Sequence, residues 1–309
     1  HLIIIIFLIL SSYLLGVFFE FLKSYPEHFT LSTSAFWEKS IKFINVNYYD
    51  QLELFKFYLL KYFMLPIKGF FISIPWPWFI FILVLLGWYY GRAKLAILNL
   101  ILLAFIVING LWLKAMVTIY LCGASVILAC LIGIPLGIWG GLNDRANKIL
   151  SSITDTLQTL PSFVYLIPVV MLFRVGDFTA MLAVILYSLA PAVKYTIHGI
   201  RSINSEIIDA GKANGCNNRQ LLFNIRLPLA LPEILLGINQ TIMLALSMLV
   251  ITALVGTREL GQEVYIALTK ADIGRGLVAG LCVAFIAIIS DNLIKSASKK
   301  MKLKYGFSL

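Results

Sequence analysis

Long apolar runs constrain this sequence more than any other feature. A helix needs about 20 mostly apolar residues to cross the roughly 30 Å hydrocarbon core of a bilayer, and the sequence offers about eight such segments. Only 13% of the residues are charged, whereas a soluble domain carries about 25%. We therefore predict an all-α, polytopic transmembrane helical bundle. The predicted spans are 2–22, 72–90, 95–112, 115–139, 150–173, 179–200, 232–256 and 277–295.

The net charge of +10 is explained by membrane topology rather than by binding to nucleic acid. With eight spans, the short basic loops and the basic C-terminus fall on one side, and cytoplasmic loops of membrane proteins are enriched in Lys and Arg. That side is predicted to be cytoplasmic, and no nucleic-acid partner is expected. The basic residues concerned are Arg92, Lys94, Arg145, Lys148, Lys212, Arg219, Arg226, Lys299, Lys300, Lys302 and Lys304.

The N-terminal region contains a segment of a different kind. Residues 23–71 interleave aromatic side chains with six lysines, which is typical of a helix lying in the bilayer interface. Eight spans place this segment outside the cell, but it moves to the cytoplasmic side if segment 2–22 does not span. Residues 2–10 could also form the core of a signal peptide. The apolar run continues to about Leu22 without an obvious cleavage site, which favours a span.

A polar gap at 205–228 separates two strongly apolar segments. Its residues predict two short helices: Ser205 as the N-cap of the first helix and Gly215 as its end. Asn217 or Asn218 is predicted to cap the second helix, which Pro228 would end. An ordered helical hairpin in a loop of a membrane protein needs a surface to pack against. A soluble partner is the natural candidate.

The spacing within this hairpin resembles the cytoplasmic signature of permease subunits of ATP-binding-cassette (ABC) importers. That signature is Glu-Ala-Ala, three residues, Gly, nine residues, Ile, one residue, Leu-Pro. In this sequence Asp209 replaces Glu and Gly211 replaces the second Ala. The matching residues are Asp209, Ala210, Gly211, Gly215, Ile225, Leu227 and Pro228.

Further stretches resemble the permeases of glycine betaine/proline betaine importers, over roughly residues 35–300. They are 115–120, 133–139, 157–168 and 239–248. The resemblance implies the type I ABC importer permease fold in three parts. These parts are an N-terminal span plus interfacial scaffold at 1–71, accessory transmembrane helices at 72–113, and a core permease domain at 114–309 with its coupling hairpin at 205–228.

The resemblance also implies a function and a set of partners. The chain would be the permease of an importer for glycine betaine, choline or a related methylated amine, in the bacterial cytoplasmic (inner) membrane. Its partners would be an ABC ATPase at the cytoplasmic face, an extracytoplasmic substrate-binding protein and a second copy of the chain. The hairpin would dock in a groove of the ATPase, with Asp209 fixing the helix start or meeting a basic residue of the partner.

No enzymatic activity and no cofactor are expected in this chain. In such importers the separate ATPase binds ATP and Mg²⁺. Independently of the resemblance, the sequence contains no Gly-x-x-x-x-Gly-Lys-Ser/Thr loop. The three histidines have no metal-ligand spacing, so no metal site is predicted.

Four residues are candidates for the translocation pathway. Phe163 and Tyr165 could attract a passing quaternary ammonium group through their ring faces, although packing within a bundle is the favoured explanation of the two aromatic residues. Asp155 is an ionisable residue inside a predicted span, near enough to the cytoplasmic end for a structural ion pair. Arg174 departs from the family pattern and could sit at the outer mouth.

Other functional classes fit the sequence less well. An ion-coupled secondary transporter would need carboxylates near the middle of the membrane, and no well-placed ones are found. A membrane-embedded enzyme would need clustered His or acidic residues at the interface, which are also absent. Within the importer class, an amino acid or a taurine-like substrate remains open, because the hairpin says nothing about cargo.

Overall fold

The computed structural model describes residues 2–18 and 29–304, and all regular structure in these ranges is helical. Residues 1–49 and 50–309 form two compact units, and the first holds α1 and α2. The helices are α1 Leu2–Phe18, α2 Ser34–Asn47, α3 Tyr49–Leu59, α4 Leu65–Ser73, α5 Trp76–Ile108, α6 Trp112–Leu142, α7 Asp144–Thr159, α8 Ser162–Phe173, α9 Asp177–Arg201, α10 Ser205–Ala213, α11 Asn218–Gln220, α12 Leu227–Thr252, α13 Leu260–Lys270 and α14 Ile273–Lys304. Two π-helical segments, Leu60–Met64 and Leu221–Arg226, connect α3 to α4 and α11 to α12.

The predicted count of eight spans is not confirmed. Five helical stretches of the described chain are long and apolar enough to cross a bilayer, and a bent pair could make a sixth. Helix α1 has only 17 residues, and residues 19–22 of that predicted span lie outside the described residues. The five stretches are Trp76–Ile108, Trp112–Leu142, Asp177–Arg201, Asn218–Val255 and Ile273–Met301, and the bent pair is Asp144–Thr159 with Ser162–Phe173.

Two predicted spans, 72–90 and 95–112, fall within the single element α5. Arg92 interrupts this element with a non-helical backbone (φ 57°, ψ −158°). The Asn99 side-chain amide donates to the Leu83 carbonyl at 2.9 Å, although a straight helix would hold these residues about 24 Å apart. Helix α5 is therefore a tight hairpin. Each of its two arms has about 16 residues, or about 24 Å, which is shorter than a full hydrocarbon core.

The predicted span 150–173 is also corrected, because it is two helices bent by 96°. Asn143 caps α7 by accepting from the amides of Arg145 and Ala146. The break follows at Leu160 and Pro161, whose backbones are extended. A proline disfavours helical backbone at the residue before it, here Leu160. The helix therefore ends at this point, although the apolar sequence pattern that predicted a single span continues beyond it.

The bundle core is built around α9, which lies between α6 and α12. A Cβ atom added at Gly137 would lie 2.5 Å from Cβ of Thr196, and one added at Gly237 would lie 2.7 Å from Cβ of Tyr195. Small residues therefore let the helices approach almost to backbone contact, as in membrane helix pairs generally. The mostly buried face of α9 sits in this contact.

The loops of the second unit separate to two ends of the bundle. One end, called the basic end, carries the hairpin at 205–228, the α6–α7 loop, the turn of α5 and the C-terminal part of α14. Four contacts join these parts: Arg201 Nη2 to Asp144 Oδ1 at 2.6 Å, Gly199 against Ala230, Ser298 Oγ to the Pro232 carbonyl at 3.5 Å, and Lys300 Nζ 3.5 Å from the Tyr89 ring centre.

The opposite end carries the start of α9, the end of α8 and the segment before α5. Residues 50–71 of the predicted interfacial segment lie here; residues 23–28 lie outside the described residues. The contacts at this end are Lys68 Nζ to Asp177 Oδ2 at 2.7 Å, Lys56 Nζ to the Phe173 carbonyl at 3.1 Å, the Gly176 amide to the Val255 carbonyl at 2.9 Å, and the Phe79 and Trp112 rings at 5.6 Å.

Candidate functional site

The first helix of the polar hairpin, α10, begins one residue earlier than the sequence predicts. Asn204, not Ser205, is the N-cap: its side-chain oxygen accepts from the Glu206 amide at 3.0 Å. The Asn204 backbone is extended and Ser205 is already helical. Both residue types are good N-caps, so the sequence alone could not decide between them.

Gly215 ends this helix in a left-handed conformation (φ 77°). The Gly215 amide donates to the Lys212 carbonyl at 2.9 Å, and the Cys216 amide donates to the Gly211 carbonyl at 3.1 Å. These two bonds form a Schellman motif, which satisfies the last carbonyls of a helix and favours glycine at the left-handed position.

The second half of the hairpin starts at Asn217, which exchanges two hydrogen bonds with Gln220 in a capping box. Contrary to the prediction, Pro228 does not end this helix, and helical backbone continues from Asn218 to Val255. A proline lacks an amide and clashes with the carbonyl four residues back. The π-helical segment removes this conflict, because the Leu227 amide donates five residues back, to the Leu222 carbonyl.

The two halves of the hairpin contact each other at Gly211. A Cβ atom there would lie 2.6 Å from Cδ1 of Ile225 and 2.8 Å from Cδ2 of Leu221. Even alanine would force these side chains to shift. The glycine at this position of the motif is therefore explained by close packing within the hairpin.

The remaining hairpin surface is exposed and has a mixed character. Asp209 and Lys212 form an exposed ion pair at 3.1 Å. Ala210 beside them is exposed, and two large apolar side chains, Ile207 and Phe223, are 44% and 57% exposed. Exposed apolar side chains rimmed by charges are typical of protein-binding surfaces.

The four predicted pathway residues are not brought together. Asp155 pairs with Lys194 of α9 at 2.5 Å, whereas Arg174 ends α8 beside the start of α9, where its carbonyl accepts from the Thr179 hydroxyl. Lys194 and Thr179 are roughly 22 Å apart along α9. Asp155 therefore forms an ion pair of the structural kind that its position near the end of a span allows. Arg174 lies at the end of the bundle opposite the basic end.

Phe163 and Tyr165 differ from each other. Phe163 is 54% exposed, but Tyr165 is buried. The Tyr165 hydroxyl donates to the Leu157 carbonyl across the α7–α8 bend, and its ring meets the edge of the Tyr187 ring at 5.8 Å. Packing within the bundle accounts for all these contacts of Tyr165.

A buried charged cluster at the opposite end was missed by the sequence reasoning. Glu263 of α13 pairs with Lys114 of α6 and with Arg275 of α14, the latter at 2.5 Å. Glu259 is fully buried, and its Oε2 accepts from the Thr118 hydroxyl (3.2 Å) and from the amide of Gly261 (2.6 Å). The only available signal was a pair of acidic residues just beyond a span.

The electrostatic state of Glu259 follows from this burial. Desolvation raises its pKa to about 7, although the hydrogen bonds from Gly261, Thr118 and Thr257 and the charge of Lys114 act in the other direction. The cluster joins α6, α13 and α14 at one point. Within the described residues, no three His, Cys, Asp or Glu side chains are grouped so that they could hold a metal ion.

Comparison with known proteins bears on both the fold and the hairpin. Residues 133–303 match the model of the family described as "Binding-protein-dependent transport system inner membrane component". This match covers more than half of the chain and includes the whole hairpin.

Two relatives are similar over most of the chain. The trimethylamine N-oxide transport system permease protein TmoV of Pelagibacter ubique is 36% identical over 96% of this chain and 43% of its own length. The glycine betaine/proline betaine transport system permease protein ProW of Escherichia coli is 37% identical over 74% of this chain and 64% of its own length. The chain therefore spans less than two thirds of the length of either relative.

A solved structure with a similar fold is the MetNI methionine ABC transporter in inward-facing conformations. The TM-score is 0.52 at 19% identity, covering 66% of this chain and 97% of that one. At this identity the likeness concerns the fold alone, and it confirms the predicted all-α importer-permease bundle.

Proposed function

Because the chain belongs to the family of binding-protein-dependent transport system inner membrane components, we propose that it is the permease subunit of an ATP-driven importer. It is a multi-pass inner-membrane protein. The basic end is assigned to the cytoplasm, since short basic loops are retained there. An ion-coupled secondary transporter is not favoured.

The observation that carries this proposal is the ordered, exposed hairpin at the basic end. Its turn is closed by the Schellman motif at Gly215, and its halves are packed together at Gly211. Its exposed surface carries Ile207 and Phe223. We assign this surface to an ABC ATPase, with Asp209, Ala210, Gly211, Gly215, Ile225, Leu227 and Pro228 as the coupling residues.

The mechanism of coupling is proposed to be mechanical. The second half of the hairpin and the span α12 form one uninterrupted helical stretch from Asn218 to Val255. A displacement of the hairpin by the ATPase would therefore be transmitted along α12, and through the close contacts of Gly237 to α9. ATP and Mg²⁺ would be bound by the ATPase, so this chain would supply only the pathway.

The proposed cargo is glycine betaine, choline or a related methylated amine. Support comes from the names of the two relatives, which are a trimethylamine N-oxide permease and a glycine betaine/proline betaine permease. Phe163 remains a candidate for contact with a quaternary ammonium group, since its ring is half exposed. Arg174 remains a candidate at the outer mouth.

The proposed assembly contains two copies of this chain, two ATPase subunits and an extracytoplasmic substrate-binding protein. Within the chain we propose three parts, residues 1–71, 72–113 and 114–309. In this division the first two parts are additions to the core that carries the hairpin.

The proposal is tested by ATP-dependent uptake of labelled glycine betaine into vesicles containing the chain, the ATPase and the binding protein. Gly211→Leu should abolish uptake, because a leucine cannot fit against Ile225 and Leu221. Phe223→Ala leaves the internal packing intact and should weaken ATPase binding and uptake together. The matched control is Phe81→Ala, since Phe81 is equally exposed (56%) but lies on α5.

Each outcome separates a different part of the proposal. Uptake that continues without ATP would refute the importer class. ATPase binding with binding-protein-stimulated hydrolysis, but no betaine uptake, would refute the cargo alone. Equal effects of Phe223→Ala and Phe81→Ala would refute the role of the hairpin surface.

A further inference from the structure

Positive charge is concentrated where the turn of α5 meets the end of α14. Lys300 Nζ lies 3.5 Å from the Tyr89 ring centre and 5.7 Å from that of Tyr90, which brings the two elements together. Neither 76–108 nor 292–309 contains an acidic residue. This site, called the basic rim, consists of Arg92, Lys94, Lys299 and Lys300, and all four are exposed.

The acidic residue of α14 that is nearest in sequence does not neutralise the rim. Asp291 accepts from the Asn239 amide at 2.6 Å and from Lys295 Nζ at 2.8 Å. The residues that α5 and the end of α14 contribute to the basic rim therefore have a single charge sign, and an anion is their complementary ligand.

Aromatic side chains fix the depth of the rim. Trp88 and Tyr89 are 64% and 62% exposed, and they directly precede the turn at Arg92. Exposed Trp and Tyr side chains favour the headgroup level of a bilayer. The rim thus lies where lipid phosphates lie.

An apolar cavity of about 330 Å³ lies deeper in the membrane, between α5, α6, α12 and α14. Among its lining residues are Leu83, Gly123, Ile127, Ile289 and Leu293; we call it the inner groove. A Cβ atom at Gly123 would have no neighbour within 4 Å, so this glycine leaves a real gap in the wall.

The groove lies at the depth of the middle of the bilayer below the rim. Leu293 lies about 10 Å and Ile286 about 21 Å from Lys300 along α14, and both line the groove. Half of the hydrocarbon core is about 15 Å. A chain descending from the rim would therefore run into the groove.

We propose that an anionic glycerophospholipid binds here, with its phosphate at the basic rim and one acyl chain in the inner groove. The cationic rim and the apolar groove match the two halves of such a lipid. A helix of a protein partner, about 10 Å across, would not enter a groove of this volume. This inference goes beyond transport, since none of the residues named for the rim and the groove belongs to the hairpin or is a candidate pathway residue.

The test uses the full chain purified in neutral detergent and titrated with phosphatidylglycerol or phosphatidylcholine. Bound lipids are counted by native mass spectrometry. The wild type should retain phosphatidylglycerol at least tenfold more tightly than phosphatidylcholine. Lys299→Gln with Lys300→Gln should remove this preference, because it removes two charges of the basic rim. Gly123→Leu should weaken phosphatidylglycerol binding at least tenfold, because the leucine side chain would fill the gap in the inner groove.

Matched controls distinguish a site from general attraction. Arg145→Gln with Lys148→Gln removes the same charge from the start of α7, also at the basic end, and should have no effect. Gly280→Leu adds the same side chain at a glycine that also has no Cβ neighbour but lines another cavity. If Gly123→Leu does not fold, Gly123→Val tests the same gap.

Several results would overturn the proposal. Equal losses in the two charge variants would mean only diffuse attraction to anionic lipids. If Gly123→Leu folds and binds phosphatidylglycerol as tightly as the wild type, no acyl chain occupies the inner groove. Equal retention of the two lipids by the wild type would show that the basic rim does not bind an anionic headgroup.

Discussion

Glu259→Gln should change how the stability of this protein depends on pH. The ordinary pKa of the carboxyl is 4.5, and burial raises it to about 7 in the folded protein. Between these values the folded chain holds a proton that the unfolded chain has released, so stability falls as pH rises through this window. Above about pH 7 the loss is complete.

The size of the effect follows from the same two values. One pKa unit corresponds to about 1.4 kcal/mol, so the difference between 4.5 and about 7 amounts to about 3 kcal/mol. Glutamine does not titrate and carries no charge to desolvate. A single oxygen at the Oε2 position would keep the hydrogen bonds from Thr118 and Gly261, because both contacts are to that atom.

The assay is thermal unfolding of the purified chain in detergent, followed by intrinsic fluorescence between pH 4.5 and 8.5. The wild type should lose roughly 5–10 °C of Tm relative to Glu259→Gln across this range. Glu206→Gln is the control, since it makes the same chemical change at an exposed position. The pKa of Glu259 is not raised by burial if both variants follow the wild-type pH profile, or if the wild type gains stability relative to Glu259→Gln as pH rises.

Two further predictions concern backbone and packing. Gly137→Val should lower the unfolding free energy by about 1–3 kcal/mol, because the valine side chain would collide with Thr196. Denaturant titration measures this loss, and Gly123→Val is the control, since a Cβ atom at Gly123 would have open space. Equal losses of unfolding free energy in the two variants would contradict the prediction. Ala271→Gly should raise stability by up to about 1 kcal/mol, since Ala271 has a left-handed backbone (φ 51°). Ala213→Gly, at an ordinary helical position, should lower it by about 1 kcal/mol, and the same sign in both variants would contradict the explanation.

Local rules predicted the parts of this fold that depend on neighbouring residues. The turn at Gly215 follows from glycine chemistry, and the reversal near Arg92 follows from a charged interruption between apolar runs. In each case the residues that determine the local structure differ in type from their neighbours in the sequence, so the sequence pattern identifies them.

Other features depend on partners that are distant in sequence or on the backbone path. The buried carboxylate of Glu259 is stabilised by Thr118, 141 residues away, and no local pattern indicates that contact. The burial of Tyr165 was not predictable either, because periodicity does not tell which face of a helix is covered. Pro228 looked like a helix end because the rule for proline assumes bonds to the residue four back.

The π-helical segment before Pro228 also sets the angular phase of the hairpin. Each residue turns an α-helix by about 100°, and a π-helical bulge accommodates one additional residue in the turn. Because the wider turn absorbs this residue, Asn217 and the hairpin keep the direction around the axis of α12 that an α-helix one residue shorter would give them. An α-helical path through the same residues, without the π-helical turn, would instead rotate the hairpin by about 100° to a different side of the bundle.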